Sequence, residues 1–208
     1  MYMAKLLRLT FNLLYFLFIL IVALALFFCL KGEAKTLYVD DDGGANFTTI
    51  QEAVDSAKDG DVIFVKNGSY PGDVVVHTSV NIIGETSENV RVLSAEKYGF
   101  KIEVEGVRIR NFTIELLNST GIVVEADNTS LTNVTVRDCG KDSLFSENTS
   151  GLMLKDSFLN TLRVRNCDNI SVQDLSFNHL FLEEVKSGKF NRLLLNKDEK
   201  GKRGGEEK

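Results

Sequence analysis

Short apolar bursts separated by polar or Gly-rich punctuation run through most of the chain, and one of them recurs. Asn111-Phe112-Thr113-Ile114, Asn133-Val134-Thr135-Val136, Gly151-Leu152-Met153-Leu154 and Asn169-Ile170-Ser171-Val172 follow one another at spacings of 22, 18 and 18 residues. Each unit is too short to bury its own apolar face, so the recurrence predicts a stacked repeat array. With a side-chain period of two, Phe112, Val134, Leu152 and Ile170 are expected at one inward position, and Ile114, Val136, Leu154 and Val172 at the next. A second strand per coil is expected at Ile102 and Val104, Ile122 and Val124, Leu144, Leu162 and Val164, and Leu180 and Leu182. The strands begin earlier, at Thr36–Val39, Val62–Val65, Val74–Val76, Val80–Gly84 and Val90–Leu93. Coils of about 20 residues give six or seven between Val62 and Asn196.

One stretch breaks the strand pattern. Thr49 and Glu52 form a capping box, and Ile50, Ala53, Val54 and Ala57 make an apolar stripe at helical spacing. Gly60 supplies a stop, so a short amphipathic helix over about 49–59 is predicted as the cap of the first coil. At the other end, residues 197–208 are too charged and too poor in apolar side chains to fold. The stack therefore ends, in this reading, on an uncapped coil over residues up to 196.

The run Thr49-Ile-Gln-Glu-Ala-Val, followed by Asp59-Gly-Asp-Val-Ile-Phe-Val, Gly68-Ser-Tyr, Val74-Val-Val and Val80-Asn-Ile-Ile-Gly, resembles the opening coils of pectin-lyase-like right-handed parallel β-helix proteins. It is similar above all to the archaeal and bacterial surface β-helix proteins, a group that includes the accessory copper protein of nitrous oxide reductase. The resemblance covers residues 36 to 84 by motif and extends to about 196 by repeat. It implies an all-β solenoid with an N-terminal capping helix over 35–196. It implies no particular chemistry, because these coils are shared by lyases, hydrolases, esterases and proteins without known activity.

Composition adds a location. Leu13 to Leu30 is an uncharged run of 18 residues preceded by Lys5 and Arg8, so residues 1–34 read either as a signal peptide or as a membrane anchor through residues 9–30. Gly32 and Ala34 would permit cleavage before Lys35, whereas the length of the run favours an uncleaved anchor. Both place the remainder outside the cell, as a secreted or membrane-anchored domain. Beyond residue 34 there are 21 basic and 28 acidic side chains, a net charge of −7. That balance argues against nucleic acid as a partner and leaves polysaccharide or envelope components as the partner class. Cys139 and Cys167 fall at different points of the repeat and read as reduced, buried side chains.

Candidate chemistry lies on the outward positions. Asp138, Asp156 and Asp174 each stand five residues after the start of a repeated strand, so in a stack they would form a row of carboxylates. Such a row would suit Ca2+, the one cofactor the chain suggests, although each Asp capping its own turn is the simpler reading. Glu115, Arg137, Lys155 and Gln173 would form an adjacent outward row. With Arg108 and Arg110, Arg137 and Lys155 are the candidate ligands for acidic sugars, since guanidinium groups grip carboxylates bidentately. His77 and His179 have no ligand neighbours at metal-binding spacing, and Asp40-Asp41-Asp42 reads as a turn. The signatures of pectin methylesterases and polygalacturonases are absent, as is any Ser/His/Asp or Cys/His arrangement, and a binding or structural role is expected, with a polysaccharide-acting lyase, hydrolase or esterase as the alternative and, on the resemblance alone, an accessory protein in metal-cofactor assembly as another.

Asn-x-Ser/Thr occurs eight times, at Asn46, Asn67, Asn111, Asn118, Asn128, Asn133, Asn148 and Asn169. The composition predicts about two by chance, and export would make such triplets glycosylation sites. Asn46, Asn67, Asn118, Asn128 and Asn148 read as loop positions and are the expected acceptors. Asn111, Asn133 and Asn169 are expected to stack on one another.

Overall fold

The structure, a computed structural model, describes residues 11–23 and 33–196. The chain divides into two units, Met1–Ala34 and Lys35–Lys208. In the first, residues 11–23 form a helix, α1, whose side chains are all exposed. No helix among the described residues is long and apolar enough to cross a membrane. The rest of the apolar run, its basic flank and the charged segment 197–208 lie outside the described residues.

The second unit contains helix α2 (Ile50–Ser56) and fourteen strands. These are β1 (Thr36–Val39), β2 (Val62–Val65), β3 (Gly68–Pro71), β4 (Val74–Val76), β5 (Asn81–Gly84), β6 (Val90–Ser94) and β7 (Tyr98–Ile102). They continue with β8 (Arg108–Glu115), β9 (Thr120–Val124), β10 (Ser130–Arg137), β11 (Leu144–Glu147), β12 (Met153–Arg165), β13 (Ile170–Glu183) and β14 (Gly188–Leu195). Every recorded strand pairing is parallel, and each strand pairs with its counterpart one coil away.

Three faces result. Face A stacks β1, β2, β5 and the first arms of β8, β10, β12, β13 and β14. Face B stacks β3, β6 and the second arms of the long strands, and face C stacks β4, β7, β9, β11 and the last arms of β12 and β13. The core is the set of rows that alternate strand residues send inward. Face A contributes Leu37, Ile63, Ile82, Ile109, Leu131, Leu154 and Val172 in register, and the row ends on the exposed Phe190. Face B contributes Tyr70, Val92, Ile114, Val136, Leu159 and Phe177, ending on the exposed Leu195, and face C a row from Val74 and Phe100 to Leu162 and Leu180. Phe100 meets Phe112 edge-on inside the stack, with ring centroids 5.5 Å apart.

The register differs from the sequence expectation at two places, and the first difference moves side chains between faces. Val134 and Val136 lie over Phe112 and Ile114 as expected, but Leu159, not Leu154, follows Val136. Leu154 stands over Leu131 on face A. The coil between β10 and β12 is 23 residues long, against 18 for the next two. The correct register puts Ser157 inward, which an apolar pattern does not suggest. Its Oγ donates to the Lys155 carbonyl at 2.7 Å and lies 3.2 Å from the Val134 N–H, which donates to it, so the buried hydroxyl is satisfied. On face C, Phe100 and Ile102 occupy the row expected to hold Ile102 and Val104.

The corners explain the recurring Asn and Asp. Asn111, Asn133, Asp156, Asp174 and Arg192 form one corner row, with φ between 50° and 62°. Gly106, Asn128, Gly151 and Asn169 form another, with φ from 49° to 77°. Asn and Asp enter this left-handed region at less cost than other side chains, because they can hydrogen-bond locally. The row Asp138, Asp156, Asp174 does not form: Asp156 and Asp174 are neighbours, while Asp138 sits past the end of face B. Asn169 likewise stands at a different corner from Asn111 and Asn133.

Helix α2 carries the expected capping box and buries Ile50, Ala53 and Val54 against the first coil. It is shorter than the 49–59 of the sequence pattern. Asp61 accepts the Lys58 N–H at 2.9 Å and pulls the chain out of the helical path, so Ala57 is already extended. Gly60, at φ 90°, belongs to the turn into β2.

Candidate ligand-binding face

Seven arginines fall within the described coils, and five are held by carboxylates. Arg91 and Arg137 both bind Glu115. Arg163 binds Asp142 at 2.9 Å and stacks on Phe181 at 4.4 Å, and Arg165 bridges Glu147 and Glu183 at 3.1 Å each. Arg192 binds Asp174. Lysines join the same pattern, Lys66 with Asp40 at 2.8 Å and Lys101 with Glu103 and Glu125. Each such pair is worth little at an exposed surface, but each leaves its cation occupied.

Arg108 and Arg110 are the exceptions: both are exposed, and neither has a carboxylate partner among the described residues. They project from the first arm of β8 on face A, two residues apart and therefore on the same side of the strand. Arg108 makes one long contact, 3.4 Å from Nη1 to the Asn81 side-chain oxygen. With Val62, Asn81 and Ile83 the two arginines line a shallow depression of about 320 Å³.

Register defines the rest of this surface. One outward row runs Tyr38, Phe64, Ile83, Arg110, Thr132, Lys155, Gln173, Asn191. The parallel row runs Thr36, Val62, Asn81, Arg108, Ser130, Met153, Ser171, Lys189. The two rows contain no carboxylate. Tyr38 is 45% exposed and its ring lies 5.8 Å from that of Phe64, so the arginines adjoin an aromatic and aliphatic shelf.

Of the four candidate ligands named from the sequence, Arg108, Arg110 and Lys155 share this face, with Lys155 two rungs beyond Arg110. Arg137 does not. It lies on face B, where Glu115 holds it, and the expected row of Glu115, Arg137, Lys155 and Gln173 divides between two faces. The cause is the long coil before β12. Tyr38, Phe64, Val62 and Ile83 escaped the sequence reading, although a signal was present: Leu37-Tyr38-Val39 and Val62-Ile63-Phe64-Val65 are apolar at both alternating positions, so half of those side chains must face outward.

The remaining clusters are structural. Asp40, Asp41 and Asp42 converge, but Lys66 and the Asp42 N–H bind Asp40, and the Ser69 N–H donates to Asp41. No other group of three His, Cys, Asp or Glu ligands converges among the described residues. Lys155 lies 3.7 Å from Asp156, and Arg192 holds Asp174, so two of the three carboxylates named for Ca2+ face the protein's own cations, while Asp138 stands away from them, past the end of face B. Cys139 and Cys167 are free thiols, and burial pushes that of Cys139 up to about 11, which leaves it a poor nucleophile at neutral pH.

Several carboxylates are held below their ordinary range and tie the fold to pH, among them Asp61 and Glu115. The backbone N–H groups of Lys35 and Lys58 donate to Asp61 and hold its carboxyl below the ordinary carboxylate range. Burial pushes Glu115 upward, but hydrogen bonds from Arg91 and Arg137 outweigh it and leave its pKa lowered. A carboxyl more acidic in the folded state stabilises that state fully above the ordinary range and loses the contribution as pH falls through the folded value. Thermal unfolding midpoints are therefore expected to be flat from pH 7 down to about 5 and to drop below about 4. A midpoint unchanged down to pH 3 would contradict these assignments.

Comparison with known proteins agrees with this geometry. The chain superimposes on Geobacillus virus E2 ORF18 with a TM-score of 0.56 and 14% identity, over 75% of this chain and 40% of that one. It superimposes on YbhC of Escherichia coli with a TM-score of 0.50 and 13% identity, over 79% and 68%. These likenesses show the fold, a right-handed parallel β-helix. A pectin methylesterase from carrot also matches, at 12% identity and a TM-score of 0.47, over 79% of this chain and 73% of that one. Identities this low speak to the fold alone. In sequence, a cell surface glycoprotein of Methanothermus fervidus is 30% identical over 124 residues, which are 58% of this chain and 21% of that protein. The chain thus spans about a fifth of the length of that relative. No family model matches it.

Proposed function

We propose that this β-helix stands at the cell surface and holds an acidic polysaccharide along face A. The observation that carries the reading is the pair Arg108 and Arg110, exposed and free of carboxylates on a molecule whose other described arginines are all neutralised. An exposed guanidinium without a partner offers a bidentate site for a uronate carboxylate. The shelf of Tyr38, Phe64, Val62 and Ile83 offers apolar contact to the C–H face of a neighbouring sugar ring. Rungs lie about 4.8 Å apart, close to the advance of one pyranose unit, so a glycan laid along the helix axis meets a new outward side chain with each sugar. Lys155, two rungs on, adds positive charge to the same face although Asp156 lies 3.7 Å from it. The similarity to a surface glycoprotein and the apolar run in residues 13–30 support an exported location, by a retained anchor or a cleaved signal.

The two outward rows of this face hold no carboxylate to serve as the acid and base of glycoside hydrolysis, which favours binding over hydrolysis. The test is to incubate the full chain with uronate polymers and with neutral polymers of matched length. Saturable binding of the uronates alone, weakened by salt as screened charge requires, is expected. Release of reducing ends or unsaturated products would overturn the binding reading in favour of an enzyme, and equal binding of neutral polymers would remove the role of the arginines.

A further inference from the structure

The eight Asn-x-Ser/Thr triplets divide sharply by what their amide groups are doing. Asn111 Nδ2 donates to the Gly84 carbonyl at 3.0 Å, and that bond fixes which end of the amide is nitrogen. Asn133 Nδ2 in turn donates to Asn111 Oδ1 at 3.0 Å. Both nitrogens are thereby turned along the stack toward the preceding coil, about one rung spacing away, where no sugar fits. Asn111 is in addition half-buried, and the hydroxyl of its triplet, Thr113, is buried and donates to the Ser87 carbonyl at 2.7 Å.

The other six present the opposite arrangement. Asn46, Asn67, Asn118, Asn128, Asn148 and Asn169 are all exposed and all lie on bends, Asn46 between β1 and α2 and the others between strands. Among the described residues, none uses its Nδ2 as a donor. Where the side chain is engaged, the oxygen is the engaged end: Asn67 Oδ1 accepts from Thr86 Oγ1 at 2.9 Å, and Asn148 Oδ1 accepts from Asn166 Nδ2 at 2.6 Å. Such bonds orient the amide while leaving its nitrogen toward solvent. Asn128, Asn148 and Asn169 gather on the connections between faces C and A in three successive coils.

We infer that this domain is N-glycosylated at sites within the set Asn46, Asn67, Asn118, Asn128, Asn148 and Asn169, and that Asn111 and Asn133 remain bare. The inference rests on the surface location proposed above. The donor is a lipid-phosphate-linked oligosaccharide. Nδ2 forms a bond to the anomeric carbon of the donor sugar, the anomeric C–O bond breaks, the lipid phosphate leaves with the electron pair, and a base of the transferase takes one Nδ2 proton. The product amide keeps one N–H and its carbonyl, so the bonds accepted by Asn67 and Asn148 survive the modification.

The test is glycopeptide mass spectrometry of the full chain isolated from the cell that makes it, with exposure of the intact cells to protease recording whether the protein is outside. Glycans confined to the six exposed bends, with unmodified Asn111 and Asn133 peptides, are the expected result. A glycan at Asn111 or Asn133 would overturn the inference, because an amide clamped between coils would then have been accessible. Protease-sensitive protein without any glycan would overturn it while leaving the surface location standing; protease-resistant bare protein inside the cell would overturn both.

Discussion

Replacing Arg108 and Arg110 together by Ala is expected to weaken binding of uronate polymers about a hundredfold or more, while Arg137→Ala leaves it intact. A hydrogen bond to a charged group contributes about 1.5–3 kcal/mol. Each arginine removed should therefore weaken binding by about tenfold or more, at about 1.4 kcal/mol per tenfold. Both side chains are exposed and make no ion pair, so the double variant should unfold at the same denaturant concentration as the parent. The Arg137 variant provides the contrast, because that guanidinium is spent on Glu115 on another face. Calorimetric titration with one polymer across the three proteins decides the matter. If the double variant binds as tightly as the parent, face A is not the site.

Phe112→Ala carries the largest expected effect on stability. Phe112 is fully buried, packs edge-on against Phe100, and belongs to the row continued by Val134. Coils above and below are fixed by their own ladders, so the space cannot close. The loss should be about 3–5 kcal/mol, read as a large shift in the urea midpoint with little change in the surface exposed on unfolding. A loss under about 1 kcal/mol, small against the usual cost of such truncations, would mean that the coils are more deformable than the packing implies.

The scaffold was legible in the sequence because its signals are local. Thr49 and Glu52 form the expected capping box, and each apolar burst from Val62 onward is a strand. Register was legible only where coil length is constant. Leu152-Met153-Leu154 satisfies the two-residue alternation as well as Ser157-Phe158-Leu159 does, and the apolar pair is the more attractive choice. Only the satisfied hydroxyl of Ser157 reveals why the other alignment holds. That single shift decides which side chains neighbour Lys155 and dissolves the carboxylate row of Asp138, Asp156 and Asp174. The same limit hid the contrast between free and occupied arginines, since pairing partners such as Arg91 and Glu115 lie 24 residues apart and meet only through register.

The two ends of the stack are unequal. Helix α2 seals the first coil, whereas β14 pairs only with β13 among the described residues and leaves Leu194 and Leu195 63% and 58% exposed. In a one-dimensional array each coil borrows stability from its neighbours, and β14, paired only with β13 among the described residues, borrows there from one side. Opening should then be graded along the axis, with amide protons of β14 exchanging first and those beside α2 last. The molecule thereby acquires a direction of fraying that the near-identity of its coils conceals, and Arg108 and Arg110, at mid-stack, sit several rungs away from where it begins.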